Sequence, residues 1–230
     1  RGHTFVELSR LSNQFANALR ALGVRRGDRV AGYLPRVPET LVVMLGAWKA
    51  GAIYVPIFTG FASDAIAYRV SHSGATVLCT HWRHAGRVPD PLPGGARLIA
   101  VTRPGETVRG AASLEAAMAE QSDRCEPARV RRDDPVVLLY TSGSTGPPKG
   151  VRIAANFPLA IHPNIRYGVD LRADDVFWPT GDPGWGYGLV CYMLALAMGG
   201  TVTFDEAPPT AEPRRRGHLR LLVQRALHTA

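Results

Sequence analysis

Residues 140–151 read YTSGSTGPPKGV, a run of small hydroxyl side chains, glycines, two adjacent prolines and one lysine that follows the wholly apolar VVLLY of residues 136–140. Such a run turns tightly and brings backbone N–H groups close to a ligand with no Cβ in the way. Thr141, Ser142, Ser144 and Thr145 add hydroxyl donors, and Lys149 adds a mobile point charge within reach of the same space. Pro147 and Pro148 restrict the backbone and lower the entropy lost when the loop is ordered. The combination predicts a cradle for a polyphosphate. A Walker A loop is excluded by Pro148 before the lysine and Gly150 after it, which leaves no hydroxyl there for a metal ion. The VRI that follows has strand character, so the loop is expected to join two strands, where a Walker loop would open a helix.

Working outward, the flanks alternate between helix and strand signals. Thr4 and Glu7 have capping-box spacing, and Leu8, Leu11, Phe15, Leu19 and Leu22 follow at helical intervals up to Gly23. RVAGYLP is then a strand, residues 39–50 a helix, AIYVPIF a buried strand and residues 63–72 a short helix. TVLCT and RLIAV are further strands, and residues 113–121 form a helix opening on Ser-x-Glu. Helices alternating with short, doubly apolar strands imply an α/β fold with a mostly parallel sheet covered on both faces. Asp133 and Asp134 are expected to end a loop ahead of VVLLY, which is expected to be a fully buried strand.

Composition narrows the function classes. With 230 residues, 46% of them apolar, the chain can bury a substantial core. Its longest apolar run, residues 189–198, is about half the roughly 20 residues that cross a bilayer. The first residues carry no signal-peptide pattern, and they begin without Met as a chain that started earlier would. Three widely spaced cysteines, Cys79, Cys125 and Cys191, fit a reducing cytoplasm better than a disulfide framework. The net charge of +8 is local, because residues 213–230 hold five arginines and no acid. That tail lacks interleaved aromatics, which argues against specific nucleic-acid recognition. Lys49 and Lys149 are the only lysines.

YTSGSTGPPKGV resembles the signature loop of the adenylate-forming superfamily, which includes acyl-CoA synthetases, peptide-synthetase adenylation domains and luciferases. ALGVRRGDRVAGYLP and LGAWKAGAIYVPIF are similar to the early core of those enzymes, and RYGVDLRADDVFWPTGDPGWGYGL resembles the acetyl-CoA and propionyl-CoA synthetase branch. The resemblance runs from about residue 4 to residue 212. It implies the N-terminal part of a large AMP-binding domain over residues 1–212, with 213–230 as a basic tail outside the family pattern. It further implies ATP, Mg²⁺ and CoA as cosubstrates, a small carboxylic acid as the activated substrate, and an acyl-adenylate intermediate. Thr141, Ser142, Gly143, Ser144, Thr145, Gly146 and Lys149 would hold the ATP phosphates, with Lys149 also in a catalytic role by offsetting negative charge. Trp185, Gly186 and Tyr187 would line the acyl pocket, where Gly186 replaces the bulkier residue of acetate-selective members and Tyr187 works against the added room.

The family's later adenine-binding segment, its threonine-glutamate pair, its ribose-gripping aspartate and its mobile C-terminal domain have no counterpart here. The resemblance therefore implies the first half of a synthetase, with little adenylation expected from these residues alone and a reading-frame change or a gene-model error as the expected origin of the tail. An adenylation domain for an amino or aryl acid and a non-catalytic binding fragment are the competing readings. Cys79-x-His81-x-x-His84 has three potential metal ligands at an unusual spacing and is read as a strand-to-loop surface; no metal site is expected. His162 has no nucleophile signature beside it, and Asp182 beside Pro183 is expected to stabilise a turn.

Overall fold

A computed structural model describes residues 2–141 and 146–204. Ser142, Gly143, Ser144 and Thr145, and the tail expected from residue 213, lie outside the described residues.

Helix α1 (Phe5–Ala21) begins at the expected capping box. The Glu7 amide donates to the Thr4 hydroxyl at 3.2 Å and the Thr4 amide to the Glu7 carboxylate at 2.7 Å, so two amides that the helix leaves unpaired are satisfied. Strand β1 (Arg29–Tyr33) leads to α2 (Pro38–Ala50), which starts on a proline and stops at Gly51, a residue in the left-handed region. The two helices lie close together, and a Cβ on Gly46 would stand 2.6 Å from Phe15 Cδ1. Lys49 fastens the pair: its Nζ donates to Ser12 Oγ at 2.8 Å and Asn13 Oδ1 at 2.7 Å.

Strand β2 (Ile53–Pro56), helix α3 (Ser63–Ser73), strands β3 (Ala75–His81), β4 (Arg97–Val101) and β5 (Ala111–Ser113), helix α4 (Leu114–Ala119), and strands β6 (Pro135–Thr141) and β7 (Lys149–Ala154) complete one sheet in the order β5-β4-β3-β1-β2-β6-β7. Every neighbouring pair is parallel except β6 and β7. Their connection, residues 142–148, is too short for a crossover, so the pair closes as an antiparallel hairpin. The chain steps from β1 to β2 in one direction and returns past β1 to β3 in the other. Right-handed crossovers then place α2 and α3 on opposite faces.

Side chains alternate accordingly. Val30, Tyr54, Val77, Ile99 and Val137 join the core under α1 and α2, while Ala31, Val55, Leu78 and Leu138 face α3. Asp134 closes the loop before β6, accepting from the Arg131 amide at 2.8 Å and from Arg26, contacts that hold its carboxyl below the usual range. Beyond β7 come α5 (Phe157–Pro163), strand β8 (Val176–Phe177), α6 (Gly186–Ala197) and strand β9 (Thr201–Val202). β8 and β9 pair separately, and Ile165, Leu171, Leu194 and Ala195 form a small core beside them.

Two expectations need revising. The apolar VVLLY is not buried throughout: Val136 and Val137 are, whereas Leu138, Leu139 and Tyr140 are half-buried. The reason is that β6 lies next to the edge strand β7, whose first four residues are exposed. Strand β5 was not anticipated, because its three residues AAS carry no period. Among the described residues no helix is long and apolar enough to cross a membrane.

His81, buried at the carboxyl end of β3, accepts from the Arg83 amide at 3.3 Å. Burial first, then Arg83, His84 and Arg103, lower its pKa to about 4. In the unfolded chain it titrates near 6.5. Its contribution is therefore intact above pH 6.5 and is lost as pH falls toward 4, where only the unfolded state takes up the proton. Urea titrations at pH 7 and pH 4.5 are expected to show wild type losing about 2 kcal/mol more than His81→Gln.

Candidate functional site

The strand β6 runs parallel to β2, so Thr141 emerges at the carboxyl edge of the parallel strands, where open α/β sheets place their ligands. Thr141 and Lys149 are Cα partners at the mouth of the hairpin, and both are exposed. Gly146 and Pro147 are exposed as well, and Gly146 has φ 89°, a conformation that a side chain would strain. Ser142, Gly143, Ser144 and Thr145, expected to contribute to the same cradle, are outside the described residues.

The stretch that holds Asp182, Trp185, Gly186 and Tyr187, residues 180–187, sits against the exits of β1 and β2. Arg36 Nη1 donates to the Thr180 carbonyl at 2.9 Å. The Asp182 carboxylate accepts from the Gly184 amide at 2.7 Å and from the Thr59 hydroxyl, which makes it the turn-stabilising acid that its place beside Pro183 predicts. Burial raises the Asp182 carboxyl above the usual range, against the lowering by Thr59, Gly184 and Arg36. Gly184 passes so near the end of β2 that a Cβ there would overlap the Ile57 carbonyl and the Phe58 amide.

Trp185 packs edge-on against Phe58, with centroids 5.5 Å apart, and remains 53% exposed. Gly186 opens α6 on top of β6: a Cβ there would lie 2.8 Å from Leu139 Cδ2. Leu139 is two residues from Thr141, so Gly186 packs on the same strand that ends at the hairpin mouth. Tyr187 is 75% exposed. On the same helix, the buried Tyr192 hydroxyl has no hydrogen-bond partner among the described residues.

Cys79 is buried, with its thiol pKa pushed well up by that burial, and the His81 and His84 ring centroids are 6.4 Å apart. Among the described residues no three His, Cys, Asp or Glu side chains cluster as metal ligands. His162 falls in α5. A wide cleft of about 940 Å³ between Trp82, Leu92, Leu98, Glu106 and Arg109 lies at the β4–β5 edge and shares no residue with the loop or with residues 180–187.

Sequence reasoning missed the face of α3 that meets the hairpin. Tyr68 and His72 stand four residues apart on a helix that was expected, a spacing that marks a common face. Nothing in that spacing says that the face meets Tyr140 and Pro148. Arg36 and Thr59 were missed because their partners lie more than a hundred residues away.

Because backbone cannot retreat as a flexible side chain can, Gly184→Ala should cost about 3 kcal/mol in urea unfolding, whereas Gly186→Ala, whose Cβ would meet only the far end of the Leu139 side chain at 2.8 Å, should cost less.

Comparison with known proteins places this architecture. A family model described as AMP-binding enzyme matches residues 1–224. The acetyl-coenzyme A synthetase of Chromobacterium violaceum is 36% identical over 228 residues, covering 90% of this chain and 35% of that enzyme. The crystal structure of the Brucella canis acyl-CoA synthetase superposes with a TM-score of 0.86 at 37% identity, over 95% of this chain and 40% of that one. An anthranilate CoA ligase solved with anthranoyl-AMP gives 0.83 at 26% identity, over 90% of this chain and 41% of that one. The chain spans about a third of the length of the acetyl-coenzyme A synthetases that it matches. Matched along nearly its whole length by the family model, the chain belongs to the AMP-binding enzymes, and its seven-stranded sheet corresponds to the N-terminal part of the acyl-CoA synthetase structures.

Proposed function

We propose that this chain supplies the triphosphate-binding hairpin and one wall of the acid pocket of an acyl-CoA synthetase. The observation that carries the proposal is the exposed Thr141–Lys149 pair at the carboxyl edge of the parallel strands, with Gly146 in a glycine-only conformation beside it. In the proposed reaction a carboxylate oxygen attacks the α-phosphorus of ATP. The bond to the β-phosphate oxygen breaks, and acyl-AMP and pyrophosphate form. The thiol of CoA then attacks the acyl carbon, AMP leaves, and a thioester remains.

Little covalent help is needed from the protein, so positioning and charge neutralisation dominate. Thr141, Ser142, Ser144 and Thr145 would donate to β- and γ-phosphate oxygens, Gly143 and Gly146 would allow close approach, and Lys149 would offset the charge that builds on pyrophosphate as it leaves. Magnesium would travel on the phosphates with its own waters, a mode that needs no protein cage. Trp185, Gly186 and Tyr187 would border the acid. Gly186 leaves space on that wall, and the contact with Leu139 independently calls for a small residue there. A short-chain acid fits the similarity to acetyl-coenzyme A synthetases. A reducing cytoplasm fits the free cysteines.

The aryl-acid reading is favoured by one observation, the similarity to the anthranilate ligase. Pyrophosphate exchange with acetate, propionate, butyrate, anthranilate and an amino-acid panel separates the two. Activation confined to aryl or amino acids would defeat the short-chain assignment. The 230 residues alone are expected to exchange weakly, and vigorous acyl-AMP formation by the purified chain would contradict that part of the proposal.

In calorimetric titration with MgATP, Lys149→Ala should weaken binding about tenfold or more, the loss expected for one charge-assisted contact. Its melting temperature should stay within about 1 °C of wild type, since the exposed side chain carries little packing. Unchanged affinity, or a fall of several degrees, would defeat the assigned role.

A further inference from the structure

One turn of α3 reaches both stems of the hairpin. Tyr68 Oη donates to the Pro148 carbonyl at 3.0 Å. That carbonyl and the Lys149 nitrogen belong to one planar peptide unit, so the bond sets the plane from which Lys149 departs. Four residues along the helix, His72 Nδ1 is hydrogen-bonded to the Tyr140 hydroxyl at 2.8 Å. Tyr140 immediately precedes Thr141, the cross-strand partner of Lys149.

These two ties form one unit. The Tyr68 and His72 rings stack, with centroids 5.3 Å apart and planes 24° apart. Tyr140 meets both rings edge-on, at 6.3 and 5.6 Å. Buried Arg69 anchors the same turn, with its guanidinium 3.9 Å from the Phe61 ring centroid and 5.6 Å from that of Tyr140. At this end strand β7 is held by its ladder to β6, while the side chains of Lys149, Val151 and Arg152 are exposed and contribute little burial, which leaves the contacts from α3 as the side-chain support.

We propose that Tyr68 and His72 are positioning residues for phosphate binding, which hold Lys149 and Thr141 in their binding orientation before the nucleotide arrives. The proposal rests on the reading of Lys149 as a phosphate ligand. Its physical content is preorganisation: a cation whose backbone is already set loses less freedom on binding an anion. Tyr68 acts through the Pro148–Lys149 peptide and His72 through Tyr140, and neither touches the nucleotide.

The test uses the whole chain with MgATP as the probe, in a cycle of wild type, Tyr68→Phe, Lys149→Ala and the double variant. Tyr68→Phe keeps the ring and its stacking and removes only the donor. It should weaken MgATP binding about three- to tenfold, the range for one neutral hydrogen bond. In the Lys149→Ala background the same change should have no further effect, a coupling that general loosening of α3 would not produce. Undiminished affinity in Tyr68→Phe, or an equal loss in both backgrounds, overturns the proposal. Hydrogen exchange at residues 149–151 keeps this outcome separate from the functional reading. If wild type fails to bind MgATP, the functional reading falls, and the brace is then judged by exchange alone: faster in Tyr68→Phe sustains it, and unchanged refutes it. His72→Gln, which retains a hydrogen-bonding group toward Tyr140, should restore most of the affinity lost in His72→Ala; equal loss in both would remove His72 from the brace.

Discussion

Strand β6 is held on both faces at once. Val137 and Leu139 pack into the core that α1, α2 and the start of α6 share, while Leu138 and Tyr140 pack toward α3. A strand that alternates in this way has a single register, because a slip by one residue would exchange the two faces and bury the wrong set. With β6 locked, Thr141 has a defined place at the carboxyl edge of the sheet, and β7 returns opposite it. The separation and direction of the two stems, and with them the shape of the space that the loop spans, follow from that register.

Residues 180–187 depend on the same arrangement by a different route. They are tied to the ends of β1 and β2 through Arg36, Thr59 and Asp182, and the close pass of Gly184 leaves no room for another path. The acid of this network is raised toward its neutral form by burial, while each of its hydrogen bonds favours the ionised form. The result is a carboxyl group engaged in structure. The two lysines divide similarly. Lys49 is absorbed between α1 and α2, where burial lowers its pKa, whereas Lys149 stands in solvent at the hairpin mouth.

The helices and central strands were legible because their signals are local and repeated: the capping box at Thr4, the apolar spacing of α1, and the strand–helix alternation that implies parallel pairing. That the loop joins two strands was legible for a related reason, the strand character of VRI directly after it. Relations between distant segments were not. The aromatic face of α3 is visible as Tyr68 and His72, but its contact with Tyr140 and Pro148 depends on the order β3-β1-β2-β6, which no local pattern encodes. Strand β5 escaped because three small residues acquire strand character only from their neighbour β4. The half-exposure of Leu138, Leu139 and Tyr140 escaped likewise, because composition does not distinguish a central strand from one beside an edge.

Among the described residues β7 borders a neighbour on one side only, so one row of its backbone amides and carbonyls faces outward. Such a border invites another chain to dock strand to strand, and like charges placed along it are a common deterrent. Lys149 and Arg152 give β7 two cations and no anion. Their mutual repulsion with a second copy reaches about 8 Å at physiological ionic strength and about 3 Å in molar salt. Colloidal behaviour in concentrated salt is thereby tied to the exposed lysine at the hairpin mouth.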